Sequence, residues 1–306
     1  YLCPNERKNR NRMERIQGTA WAIVSSATFG LAPLFTLLLI GMGYSSFEVL
    51  SYRWGVASLF LGALALLAGR SFRLSWPELR TVFFLSLFRA ATSLSLVIAY
   101  QHIASGVAST IHFMYPLAVA LAMMCFFREK GSVWVFAAIG MSIVGAVLLS
   151  LGNVDFTRGN TTLGMVSAAV SVVSYGGYIV GVRKSRAVGI DSTVLTCYVM
   201  GLGALYFIAG GLVTGGIRIE TDGTAWLCIL GVALPATAVS NMTLVQAIKR
   251  IGPTLTSVFG ALEPLTAVVI GVAVFGEPFT VQGAAGILLI VAAVTIVILH
   301  SGRRKA

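Results

Sequence analysis

Apolar residues along this chain gather into long unbroken runs, separated by short polar connections. Ten runs fall at approximately 17–42, 47–69, 77–101, 105–127, 132–151, 161–182, 192–214, 223–246, 252–275 and 280–300. Each supplies the ~20 residues that a helix rising 1.5 Å per residue needs to cross a hydrocarbon core. Strand-like alternation is absent, which argues against a β-barrel. No connection is long enough to fold separately. The pattern predicts an all-α integral membrane protein, multi-pass, with ten transmembrane helices.

Composition agrees. Of 306 residues, 57% are hydrophobic and 11% charged, with a mean hydropathy of +0.88, whereas soluble domains carry about 25% charged residues. A net charge of +11 would suggest nucleic acid in a soluble protein. Here the cations mark topology instead, and no nucleic-acid partner is implied. Eighteen of the 22 Lys and Arg residues fall in the two terminal tails (1–15 and 302–306) and in the connections after spans 2, 4, 6 and 8, counting Arg80 in the first turn of span 3. The connections after odd-numbered spans hold only Arg158 and Arg218, and Arg53 and Arg89 lie inside spans. Lys and Arg are retained on the cytoplasmic side, so both termini are expected there. Residues 1 to 12 read as a flexible tail or an added segment ahead of Met13, a natural start, and no cleavable signal peptide is recognisable. Cys3, Cys125, Cys197 and Cys228 are scattered without metal or disulfide spacing.

The chain repeats itself. Displaced by 148 residues, Leu94 to Glu129 aligns without a gap on Met242 to Glu277, with nine identities in 36 positions, Pro116, Leu117, Phe127 and Glu129 among them. Displaced by 146, Ser25, Thr28, Phe29 and Gly30 fall on Ser171, Ser174, Tyr175 and Gly176. Coincidence among apolar residues is the bland alternative, and the long register counts against it. Five spans per unit is an odd number, so two copies (16–152 and 153–301) must point oppositely. That accounts for "FFREK" at 126–130 returning as "VFGEP" at 274–278 with its cations gone. Inverted repeats are characteristic of secondary transporters that bind substrate near the midplane.

The Pro-Leu fourth span, the Phe-x-Glu turn and "VFGEPFTVQGAAGILLIVAAV" resemble the drug/metabolite transporter superfamily, and within it the EamA-type exporters, over residues 16 to 300. "HFMYPL" and "SYGGYIVGVRK" are similar to bacterial exporters of aromatic amino acids, which tend to carry tryptophan where this chain has Tyr115 and Tyr175. The resemblance implies a bacterial inner-membrane exporter of amino acids or related metabolites.

Polar residues inside spans must face protein or water. Helical spacing collects Phe29 with Ser25 and Thr28, Arg89 with Thr92 and Ser93, Ser174 with Ser171, Tyr175 and Tyr178, and Ser240 and Asn241 with Thr237. Spans 4 and 9 add His112, Tyr115 and Glu263. These residues would line a cavity between spans 1, 3, 6 and 8, the alternative being that small residues merely permit close packing. Arg89 could receive a carboxylate and the aromatic rings an ammonium or apolar group. Arg89 and Glu263 could instead form a structural ion pair. Arg53 reads as snorkelling near Glu48. Pro33, Pro116, Pro235 and Pro264 are expected to kink their spans.

The reading is a secondary exporter of small amphipathic metabolites, amino acids foremost, working by alternating access as a monomer or weak homodimer. No cofactor or metal is implied, and protons are a candidate coupling partner through Glu263. Multidrug or cation efflux is the alternative. A membrane-embedded enzyme using His112 and Glu263 is a remoter one, since no phosphate loop, HExxH or GxSxG motif occurs.

Overall fold

The computed structural model describes residues 4–103, 105–150, 159–263, 265, 266, 269 and 281–301, and within them the regular structure is helical. The helices are α1 (Pro4–Phe29), α2 (Ala32–Gly41), α3 (Ser46–Leu67), α4 (Trp76–His102), α5 (Ser105–His112), α6 (Tyr115–Phe127) and α7 (Val133–Ser150). They continue as α8 (Thr161–Lys184), α9 (Ser192–Thr214), α10 (Gly223–Ala233), α11 (Ser240–Ile251), α12 (Pro253–Phe259) and α13 (Val281–Ser301). Among the described residues, seven helical segments are long and apolar enough to cross a membrane, and Val133–Leu148 and Val281–Ile296 are shorter apolar helices. The turn at 274–278, Pro264, Arg158, Cys3 and the C-terminal cations lie outside the described residues.

Local chemistry sets the helix starts. Ser45 and Glu48 form a reciprocal capping box at α3, as do Ser75 and Glu78 at α4. Asn160, Asp191 and Asp222 accept from the first free backbone N–H groups of α8, α9 and α10. One expectation changes. The basic stretch read as a flexible tail continues α1 back to Pro4, because between Asn5 and Ile16 no glycine or proline interrupts a run rich in good helix formers.

Prolines do more than kink. The first apolar run breaks at Gly30–Leu31 and restarts with Pro33 in the opening turn of α2. The fourth breaks at Phe113–Met114 and restarts with Pro116 in the opening turn of α6. Proline tolerates a first turn, where its missing N–H has no partner to lose. Pro235 instead widens a helix: Leu234–Val239 is a π-helical turn joining α10 to α11. At the first break, Gly30 sits where a Cβ would come within 2.6 Å of the Glu263 carbonyl oxygen. Only glycine allows that approach.

Helices pair across the chain: α3 with α9, α4 with α8, α1 with α11, α7 with α13, and α6 with α12. The tightest seam joins α3 to α9, where Trp54 lies over Gly203 and edge-on to Phe207, centroids 5.2 Å apart. At one end of the bundle, Glu48 accepts from Arg218 Nε at 3.0 Å, while Tyr52 donates to the Arg218 carbonyl. At the other, Arg183 donates to the Lys249 carbonyl at 2.7 Å and Lys249 to that of Ile190. Between these closed ends lies the site.

Candidate functional site

The centre of the bundle holds two arginines. Arg89, on α4, is 1% exposed; Arg53, on α3, is 5% exposed. Both line one small cavity with Phe29, Pro33, Thr36, Thr92, Ser93 and Tyr100. Its volume is about 20 Å³, room for one or two water molecules. The conformation is therefore closed around the site.

Each guanidinium is held by its Nε on the same stretch of helix. Arg89 Nε donates to Asn241 Oδ1 at 2.8 Å, and Arg53 Nε donates to Thr237 Oγ1 at 2.6 Å. The acceptors are themselves oriented. Asn241 Nδ2 donates to the Thr237 carbonyl at 2.7 Å, and Thr237 Oγ1 donates to the Val232 carbonyl, five residues back, at 2.7 Å. The π turn produces that five-residue reach. Arg89 Nη1 also donates to Ser93 Oγ at 3.3 Å. Ser93 and Asn241 stand 148 residues apart, the displacement at which the sequence aligns on itself, and one arginine bonds both.

Aromatic faces surround the charge. The Arg89 guanidinium carbon lies 5.4 Å from the Phe29 ring centre, 5.1 Å from Tyr175 and 6.0 Å from both Tyr178 and Trp54. Arg53 lies 5.8 Å from the same Phe29 ring. Phe29 and Tyr175 stack at 6.3 Å with planes 15° apart. These rings let a cation sit in an apolar interior without a carboxylate.

A second cluster adjoins the first through Tyr175. Tyr115 meets Tyr175 edge-on at 4.6 Å, and His112 stacks on Tyr175 at 5.3 Å. Tyr115 donates to Glu263 Oε1 at 3.3 Å. Ser171 donates to the Ala168 carbonyl, so it accepts from His112 Nδ1–H at 2.8 Å, and His112 Nε2 is an acceptor with no partner among the described residues.

The expected residues thus divide. Phe29, Arg89, Thr92 and Ser93 line the cavity; Tyr175, Tyr178 and Asn241 touch Arg89; His112, Tyr115 and Glu263 form the adjoining cluster. The hydroxyl of Ser174 turns back to the Val170 carbonyl of its own helix, and Ser240 offers its carbonyl to Ser25. Two expectations differ. Arg89 and Glu263 make no ion pair: among the described residues no carboxylate oxygen lies within 4.0 Å of the Arg89 or Arg53 guanidinium. Arg53 does not snorkel. Glu48 is taken by Arg218, and Arg53 turns inward to Thr237. Sequence position offered one signal for this. Arg53 lies seven residues into α3, about 10 Å along its axis, deeper than a residue at the interface.

Known proteins bear on what such a site serves. A family model described as the EamA-like transporter family matches residues 16–151 and 162–299. An uncharacterized transporter of Archaeoglobus fulgidus is 24% identical over 279 residues, covering 91% of this chain and 95% of its own length. The uncharacterized transporter YojE of Bacillus subtilis is 25% identical over 283 residues, 87% of this chain and 88% of its own. A solved crystal structure superposes with a TM-score of 0.77 at 19% identity, over 96% of this chain and 99% of that one, a likeness of fold. With both stretches of apolar helix matched, this chain belongs to the EamA-like transporter family and is a multi-pass membrane protein.

Proposed function

We propose that the chain is a secondary exporter with ten spans in two inverted five-helix repeats, 16–152 and 153–301. Both termini face the cytoplasm of a bacterial inner membrane. It moves small amphipathic metabolites bearing a carboxylate, amino acids foremost, by alternating access.

One observation carries the reading. Phe29 stacks on Tyr175 and Tyr115 bonds Glu263, and each pair consists of equivalent positions in the two copies. When a residue touches its own counterpart, both lie on the axis relating the copies, by the logic of a two-fold interface. The helix pairing agrees: α3 with α9 and α7 with α13 map onto themselves, while α4 with α8 maps onto α11 with α1. Arg89 packs against the axial rings. A cation on the axis between inverted repeats is where a carrier would hold an anionic group.

Cation efflux fits less well, because two buried guanidiniums repel a cationic drug. The enzyme reading fits less well, since among the described residues Glu263 bonds Tyr115, His112 bonds Ser171, and no hydrogen bond joins the two. The test is counterflow into liposomes containing the purified protein, against a panel of neutral, acidic and basic amino acids and cationic dyes. Saturable exchange of an unaltered amino acid supports the reading. Exchange of dyes alone, or chemical alteration of the solute, overturns it.

A further inference from the structure

Arg53 is the feature the sequence did not announce. Its Nη2 is buried without a partner among the described residues, an arrangement that costs stability unless something binds there. Arg89 commits Nε and Nη1 to Asn241 and Ser93, and its Nη2 donates to nothing among the described residues. Both side chains line the same cavity and approach the same Phe29 ring. Among the described residues, Glu263 is occupied by Tyr115 and no carboxylate lines the cavity. Two forked donors therefore line one space, with no carboxylate from the described residues lining it.

We infer that Arg53 and Arg89 form a paired anion anchor, and that the transported molecule carries two anionic groups, as a dicarboxylate does. A zwitterionic amino acid with an apolar side chain has one carboxylate, which satisfies one fork and leaves the other unpaired. A molecule with carboxylates at both ends satisfies both, each fork offering the planar geometry that suits a carboxylate. Phe29, whose ring centre lies 5.8 Å from the Arg53 guanidinium and 5.4 Å from that of Arg89, would pack against the short carbon chain joining the charges. Succinate has this form, and so does aspartate, whose ammonium would find the face of Tyr175. A phosphate monoester presents the same anionic oxygens on a single centre, and the experiment below distinguishes it from a dicarboxylate. The site must open beyond its present volume to admit any of them, as alternating access requires.

The inference rests on the carrier reading, and one experiment separates the two. Purified protein in liposomes is assayed for counterflow of succinate, aspartate, glycerol 3-phosphate and phenylalanine, with wild type, Arg53→Gln and Arg53→Lys run in parallel. Thermal melts of each variant in detergent, with and without added succinate, accompany the flux. The expected result is saturable succinate or aspartate exchange in wild type. In Arg53→Gln that exchange falls at least tenfold and the succinate-induced rise in melting temperature disappears. Arg53→Lys restores part of both, because the charge returns without the fork.

Phenylalanine exchange that is unchanged by Arg53→Gln, with no dianion carried, overturns the paired anchor and leaves the carrier standing. Glycerol 3-phosphate exchange without dicarboxylate exchange overturns the dicarboxylate assignment. A merely structural Arg53, tethering the π turn through Thr237, would lower the melting temperature of Arg53→Gln without altering selectivity, and that result also overturns the inference. Flux of none of the four solutes removes the carrier reading together with this one.

Discussion

Asn241→Asp separates what Arg89 does for folding from what it does for an anion. Asn241 is fully buried, and its Oδ1 accepts from Arg89 Nε at 2.8 Å while Nδ2 donates to the Thr237 carbonyl at 2.7 Å. Aspartate is isosteric, keeps the first bond and strengthens it with a formal charge. The second bond becomes two oxygens face to face, a buried loss of about 1–3 kcal/mol. Gain and loss nearly offset, so the melting midpoint should stay close to wild type. Affinity should behave otherwise. Two unit charges about 5 Å apart at an effective dielectric of about 20 interact by about 3 kcal/mol. A carboxylate beside Arg89 would oppose an incoming anion by that amount, roughly a hundredfold in affinity. Asn241→Leu reverses the order. It loses both bonds without adding charge, and costs stability by about 2–4 kcal/mol with a smaller effect on affinity. The assays are thermal unfolding in detergent and the half-saturation concentration for the carboxylate carried in counterflow. A folded Asn241→Asp protein with undiminished affinity would refute Arg89 as the anion's partner.

Other outcomes test the frame. A cysteine at Arg218 should react with an impermeant thiol reagent from outside the cell, and one at exposed Arg186 should not; the reverse pattern overturns the orientation. Gly203→Ala places a methyl group in the Trp54 ring, so overpacking should destabilise the protein by about 1–3 kcal/mol, read from its melting midpoint. An unchanged midpoint would mean that α3 and α9 do not pack this closely. Glu263→Gln keeps an acceptor for Tyr115, and flux should persist, with a pH gradient failing to drive solute uphill in either protein. Uphill transport that follows the gradient and vanishes in Glu263→Gln would establish proton coupling.

The apolar runs were legible because lipid admits only backbone that satisfies its own hydrogen bonds. Helix follows from the solvent, whatever the side chains do afterwards. The caps went unread although their signal is local, as Ser45 and Glu48 stand three residues apart. Gathering Arg89, Ser93 and Asn241 onto facing stripes needed only helical spacing and the register. Arg53 was not legible in the same way. Its neighbour Glu48 looks like its partner along the chain, and the competitor, Arg218, lies 170 residues from Glu48. Which cation wins a carboxylate is decided by tertiary packing. The π turn was hidden too. Pro235 announces a disturbed helix, but whether the chain breaks, as near Pro33 and Pro116, or widens depends on what fills the gap. Here the Thr237 hydroxyl reaches the Val232 carbonyl and keeps the helix continuous.

That widened turn has a mechanical consequence. Arg53 and Arg89 belong to the first of the two proposed repeats, and the acceptors of their Nε groups, Thr237 and Asn241, to the second. The two acceptors stand one turn apart on a single stretch of helix, coupled by the bond from Asn241 to the Thr237 carbonyl. Displacing that stretch disturbs both guanidiniums together. An anion on the outer nitrogens competes with Thr237 and Asn241 for the positive charge, because each guanidinium divides a fixed attraction among its acceptors. A ligand shifts a conformational equilibrium only by its differential affinity for the two states. An anion drawing both forks inward thus weakens the bonds that tie the copies together at the axis. Substrate binding and the movement of one half against the other would then draw on the same two side chains, as the proposed alternating access requires.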